Sequence, residues 1–207
     1  TVPAGLTVTG ITNSAGTITA NVAASCTATI GANTVVLTVT DGNAGTSTAN
    51  LTVNVTANTA PTLTYGNVSV NAGSATTNSP TTATDNGSIS SFAVQSQGTY
   101  TGTISVNASG VVSISNAAPV GTHTITIRAT DNCGSTTDAT FPLTVNNTLP
   151  TITAGAALSR QRGSAGTINT IATVSDGQTP VGSLVVTATT VPAGLTVTGI
   201  TNSAGTI

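Results

Sequence analysis

The sequence predicts an all-β protein built of tandem β-sandwiches, and three observations carry that expectation. Thr, Ser, Val, Asn, Ala and Gly dominate while Glu, Lys, Met and Trp are absent, which is poor material for helices and good material for strands and turns. Short apolar/polar alternations bounded by Gly, Asn and Pro recur along the chain, the period of a half-buried strand. The 38% of hydrophobic residues is enough to form a core, which separates this chain from disordered Ser/Thr/Gly-rich sequences. At 207 residues the length fits about two domains.

Repeats organise the chain. TVPAGLTVTGITNSAGTI occurs at residues 1–18 and again, identical at every position, at residues 190–207, a spacing of 189 residues. The expectation is one full period plus an overlap, an interior piece of a longer tandem array. A weaker repeat lies inside the period: the segment from Gly31 to Leu63 lines up with that from Gly121 to Ile152, each holding a strand, a Thr-Asp turn, a second strand and an X-Pro junction, Ala60-Pro61 or Leu149-Pro150. GSATTNSPTTATDNG from Gly73 likewise resembles GSAGTINTIATVSDG from Gly163. The predicted organisation is therefore two related domains. Residues 61–149 form a complete domain B. Residues 1–60 are the C-terminal part of a domain A, and 150–207 the N-terminal part of the next domain A.

The strands follow in order. Beyond a hairpin turn at Asn13–Gly16, Ile18, Ala20 and Val22 are expected to face inward. Val35, Leu37 and Val39 alternate with outward Thr38 and Thr40, and after the turn at Asp41-Gly42-Asn43, Leu51, Val53 and Val55 alternate with Asn50, Thr52 and Asn54. In domain B a hairpin at Asn107–Gly110 precedes inward Val112 and Ile114. Ile125, Ile127 and Ala129, then Phe141, Leu143 and Val145, repeat the pattern of domain A. About seven short strands per 90 to 100 residues, with a turn every 8 to 12, describe an immunoglobulin-like sandwich.

VPAGLTVTGITNSAGTITANV followed by TVVLTVTDGNAGTSTANLTV resembles the immunoglobulin-like, cadherin-like tandem repeats of giant bacterial surface and adhesin proteins. The resemblance covers nearly the whole chain. It implies an extracellular, multi-domain structural or adhesive chain, and it leaves the ligand open.

Charge excludes several functions. Three Lys plus Arg, five Asp plus Glu and one His leave no electrostatic footprint for nucleic acid or an anionic membrane surface, and no apolar run approaches the roughly 18 residues of a membrane helix. Catalysis finds no foothold either, because the single His123, placed in a turn and read as a surface or loop side chain, has no local nucleophile or acid partner. So few titratable groups also predict a melting temperature nearly flat between about pH 5 and pH 9. The aromatics Tyr65, Phe92, Tyr100 and Phe141 all belong to domain B. Phe92 and Phe141 are assigned to the core, and Tyr100, in an exposed-looking QGTYTG segment, is the one candidate sugar contact.

The resemblance implies calcium as a weak possibility, because that family includes calcium-stiffened cadherin-like members: Asp41, Asp85, Asp131 and Asp176 are the candidates, in loops that share one end of such a sandwich. Ca2+ takes 6 to 8 oxygens, dense acidic motifs are missing, and Asp followed by Gly or Asn is a turn signature, so turn formation is the favoured reading and no cofactor is assigned. Of six Asn-X-Ser/Thr sequons, those at Asn50 and Asn54 fall on the solvent face of a strand, where a glycan fits.

Cys26 and Cys133 are the only cysteines. Cys26 lies in the loop before the sixth strand of domain A, beside that domain's exit. Cys133 lies in the last hairpin of domain B, beside its entrance. The two ends meet at the joint near Pro61, which predicts a disulfide there, as an extracellular setting permits. Two functions remain: a structural repeat unit of an extracellular filament or stalk, assembling head to tail with itself, or an adhesive binding module of a giant surface protein. Near-perfect repetition favours the first, and an enzyme is a distant third.

Overall fold

The computed structural model describes residues Thr1–Ile207. It is all-β, with fifteen strands, one short 3-10 turn and no α-helix: β1 (Leu6–Ser14), β2 (Thr17–Ala24), β3 (Gly31–Thr40), β4 (Thr46–Val55), β5 (Thr62–Tyr65), β6 (Val68–Asn71), β7 (Thr76–Asn78), β8 (Pro80–Thr84), β9 (Ile89–Ser96), β10 (Thr103–Val106), β11 (Val112–Ser115), β12 (Gly121–Asp131), β13 (Thr136–Asn146), β14 (Thr151–Ala154) and β15 (Ala172–Ser175). Two compact units divide the chain. The first holds Thr1–Leu63, Thr82–Phe92 and Arg128–Asp138; the second holds Thr64–Thr81, Ala93–Ile127 and Ala139–Ile207.

Strands β5 to β13 build an immunoglobulin-like sandwich. One sheet runs β6-β13-β12-β9, and β10-β11-β7 and β5-β8 form two further sheets. Two of its strands are broken where the backbone must change partner. After β5 the chain passes Gly66, whose carbonyl is held by the Asn78 amide at 2.9 Å, and re-enters as β6, parallel to β13 with Val68 opposite Leu143 and Val70 opposite Val145. After β7 the chain passes Ser79 and re-enters as β8 at Pro80, which has no N–H for a ladder and suits the first residue of a strand. Within the second unit the core is the set the alternation singled out: Val112, Ile114, Ile125, Ile127, Phe141, Leu143 and Val145 are all buried. Tyr65 packs on Phe141 with ring centroids 5.2 Å apart, and its hydroxyl donates to the Gly110 carbonyl at 2.6 Å.

The flanking segments are simpler. β1 and β2 form one hairpin, β3 and β4 another, and each is a two-stranded sheet. In β3–β4 the register sets Val35 opposite Leu51 and Leu37 opposite Ala49, so the apolar side chains gather on one face as the alternation predicts. That face corrects the expectation of burial. Val35 is buried and Val53 and Val55 half-buried, but Leu37, Val39 and Leu51 are exposed, as are Ile18, Ala20 and Val22 on β2. Amphipathic alternation specifies which face seeks a partner, and these single layers have no second sheet over them. At the other end β14 pairs antiparallel with β15, above a small core of Ala172, Val174 and Ile207.

Candidate functional site

The joint after β4 is the most heavily cross-braced place in the first unit. Cys26, in the loop after β2, and Cys133, in the turn between β12 and β13, are joined by a disulfide with Cα atoms 5.3 Å apart, inside the reach such a bond needs. The linker between β4 and β5 is then fastened by side chains. Asn58 donates to Asp131 Oδ2 at 2.7 Å and to Ser135 Oγ at 3.0 Å. Asn86 donates to the Ala57 carbonyl at 3.0 Å and accepts from the Thr59 N–H at 3.4 Å. Pro61 is buried, and its carbonyl accepts from Thr137 Oγ1 at 2.6 Å.

Asp131 is the centre of this arrangement. It is buried, and its Oδ1 accepts the backbone N–H groups of Cys133 and Ser135, each at 2.8 Å. The Asn58 amide, followed by those backbone donors, holds its carboxyl below the usual carboxylate range against the opposing effect of burial. The same side chain therefore shapes the turn that presents Cys133 and grips the linker. Sequence reasoning read the turn role of Asp131 but not its bond to Asn58, which no local spacing announces.

The second joint, between β13 and β14, has a lighter brace. Thr148 donates its hydroxyl to Gln178 Oε1 at 2.7 Å and its N–H to the same oxygen at 3.3 Å. Gln178 is placed by Asp176, whose Oδ2 accepts the N–H groups of Gln178 at 3.0 Å and Thr179 at 2.6 Å. Those bonds, from Thr179 first, hold the Asp176 carboxyl low. No cysteine takes part here. One joint is covalently locked and the other is tied by hydrogen bonds alone.

The remaining sequence candidates resolve into structural roles. Asp41 Oδ1 accepts from the N–H groups of Asn43 and Gly45 at 2.8 Å, and Asp85 Oδ2 from that of Gly87 at 2.7 Å. With Asp131 and Asp176, all four candidate calcium ligands thus hold their own turns. One oxygen each of Asp85 and Asp176 has no partner, but no three His, Cys, Asp or Glu side chains gather as a metal site would require.

His123 is not a surface residue. It lies in β12 at 4% exposure, where Nε2 donates to the Pro119 carbonyl and Nδ1 shares a hydrogen bond with Thr99 Oγ1, both at 2.8 Å. A carbonyl can only accept, so Nε2 carries a proton. Tyr100 is likewise corrected. The QGTYTG segment tucks it in at 1% exposure, against the edge of His123, with its hydroxyl donating to the Ser115 carbonyl at 2.9 Å and its pKa raised by burial. Phe141 is buried and Phe92 half-buried. Asn50 and Asn54 lie exposed on β4, on the face opposite its apolar side chains.

No protein-family model and no curated protein matches the chain. Among solved structures it is similar to protocadherin gamma B2 extracellular cadherin domains 3–6 (11% identity over 55% of this chain and 30% of that one, TM-score 0.35). It is also similar to the protocadherin gamma B4 extracellular domain (15% over 84% and 30%, TM-score 0.34). A third is a SusE-like surface-located polysaccharide-binding protein from the Bacteroides thetaiotaomicron heparin utilisation locus (11% over 69% and 36%, TM-score 0.32). The chain spans about a third of the length of each. At these TM-scores the likenesses carry no argument, and the fold assignment rests on the strand order and core described above. No helix is long and apolar enough to cross a membrane.

Proposed function

We propose that the chain is a structural repeat unit of an extracellular filament or surface stalk built from tandem immunoglobulin-like domains. The observation that carries this reading is the identity of residues 1–18 and 190–207 at a spacing of 189 residues, because a shaft needs equivalent spacers in register. Domain A split between 1–60 and 150–207, and domain B at 61–149, are the units this reading assigns. The disulfide fits an oxidising, extracellular setting, where Asn50 and Asn54 would be the glycan acceptors. The braced linkers fit a load-bearing role: the lock at Cys26–Cys133 stiffens one joint per period, and Thr148–Gln178 leaves the other more compliant. The adhesive alternative loses its one aromatic contact with the burial of Tyr100.

Electron microscopy of native material tests the proposal. The longest strands of domain B have 11 residues, about 37 Å at 3.4 Å per residue, so two sandwiches end to end give fibres with an axial repeat of roughly 75 Å. Isolated globules in native material would overturn it.

A further inference from the structure

Asn86-Gly87 is the one Asn-Gly pair in the chain; every other asparagine precedes Ser, Thr, Val, Leu, Ala, Cys or Asn. Glycine has no Cβ to crowd its backbone, so Asn86 is the asparagine whose side-chain carbonyl is most open to attack by the peptide nitrogen that follows it. The pair lies in the turn between β8 and β9, and Asn86, Gly87 and Ser88 are all exposed, so water reaches it.

Two contacts in this turn match the two charge movements that closing such a ring requires. The Gly87 N–H donates to Asp85 Oδ2 at 2.7 Å, and the other oxygen of that carboxylate has no partner. Asn86 Oδ1 accepts the Thr59 N–H at 3.4 Å. A base thus sits on the nitrogen that must lose a proton, and a donor sits on the oxygen that must take up negative charge. The brace of the second joint is built differently. There the amide belongs to Gln178, whose extra methylene would force a larger ring, and the nitrogen that follows belongs to β-branched Thr179.

We infer that Asn86 is a site of spontaneous deamidation and that the reaction loosens the joint after β4. The Gly87 nitrogen bonds to Asn86 Cγ and its proton passes to Asp85 Oδ2. The Cγ–Nδ2 bond breaks, and Nδ2 leaves as ammonia with that proton returned through water. Water then opens the cyclic imide at either carbonyl, leaving an aspartyl or an isoaspartyl residue at position 86. The departing nitrogen is the one that ties the linker, since Asn86 Nδ2 donates to the Ala57 carbonyl at 3.0 Å. A carboxylate in its place has no proton to offer that carbonyl and adds a negative charge beside Asp85. The Asn58–Asp131 and Thr137–Pro61 bonds and the disulfide remain, so the joint loses one tie and becomes more compliant with age. This chemistry belongs to the turn itself and proceeds whether or not copies of the chain assemble.

The test uses the intact chain. After incubation in mildly alkaline buffer at physiological temperature, peptide mapping with isoaspartate detection should show position 86 converting at least about tenfold faster than any other asparagine. Asp85→Asn keeps an oxygen against the Gly87 N–H but removes the base, and should slow conversion at least about fivefold. Asn86→Gln should abolish it. Asn86→Asp installs one product directly and should speed amide hydrogen exchange at Thr59 and its linker neighbours at least about tenfold. Asn50→Asp, exposed on β4, should leave that exchange unchanged. Asn86 and Asn50 are both exposed, so these variants keep the wild-type circular dichroism spectrum. Another asparagine converting first, an unchanged rate in Asp85→Asn, or equal linker exchange in the two aspartate variants would each overturn the inference. Asn86-Gly87-Ser88 is also a sequon, and a glycan on Asn86 in native material would overturn it as well, because a substituted amide cannot leave as ammonia.

Discussion

Replacing both cysteines, Cys26→Ala with Cys133→Ala, isolates what the covalent lock contributes. The bond closes a loop of 107 residues, and the chain-entropy relation gives about 4.8 kcal/mol for a loop of that length at 25 °C. Native geometry should survive the change, because the Asn58–Asp131, Asn86–Ala57 and Thr137–Pro61 bonds still fasten the joint. The loss is then expressed through a freer unfolded chain, and a realised value of about 3 to 4 kcal/mol is expected. Urea titration followed by far-ultraviolet circular dichroism measures it. With a slope near 2 kcal/mol/M the midpoint should fall by about 1.5 to 2 M, and the slope should rise because the uncrosslinked chain exposes more surface. A midpoint shift under about 0.5 M, or an unchanged slope, would refute the argument by showing that the bond does not constrain the unfolded ensemble.

Position-matched truncations weigh the missing layer: Ile127→Ala should cost about 3 to 4 kcal/mol, while Leu37→Ala, at the equivalent place on an open face, should cost less than about 1.5 kcal/mol in the free chain by the same titration. Ala44 holds φ 67° in the turn after Asp41, where the equivalent Gly134 holds φ 90°. Ala44→Gly should therefore stabilise by about 0.5 to 1 kcal/mol, relief of the left-handed alanine outweighing the added freedom of the unfolded chain. Asp131, Asp138 and Asp176 all have depressed folded-state values, Asp138 through its bond to Arg128. Their contribution is present above the unfolded carboxylate value of about 3.9 and is lost as pH falls below it, so the melting temperature should drop below about pH 4. Tyr65 is pushed up to about 12 by burial. Its contribution is full below the unfolded value of about 10 and is lost as pH rises through 12, so a second decline should appear above about pH 10 in the same series.

The alternation of Ile125, Ile127 and Ala129 with Thr and Arg identified a core strand without help from the fold, because strand side chains alternate faces whatever they pack against. The turn roles of Asp41 and Asp131 were legible for a similar reason: a short carboxylate captures its own backbone donors within four residues. His123 and Tyr100 were misplaced because burial depends on what crosses above a residue. A Gly-flanked, hydroxyl-rich segment looks the same whether or not Pro119 and Ser115 arrive to accept its hydrogen bonds.

The duplicated segment separates the two kinds of information. Ala15 and Ala204 have φ of 51° and 48°, Gly5 and Gly194 80° and 84°, and Gly16 and Gly205 88° and 92°. In both copies the Asn side chain accepts the turn glycine's N–H at 2.9 Å. Eighteen identical residues thus determined their own turns, since those depend on interactions spanning three or four residues. They did not determine their pairing. The first copy forms β1, with Leu6 buried, against β2. The second leaves Leu195 exposed and lends only its last residues to β15. A strand's hydrogen bonds and apolar face must be satisfied by distant chain, and which distant chain is within reach was decided by the tertiary structure alone.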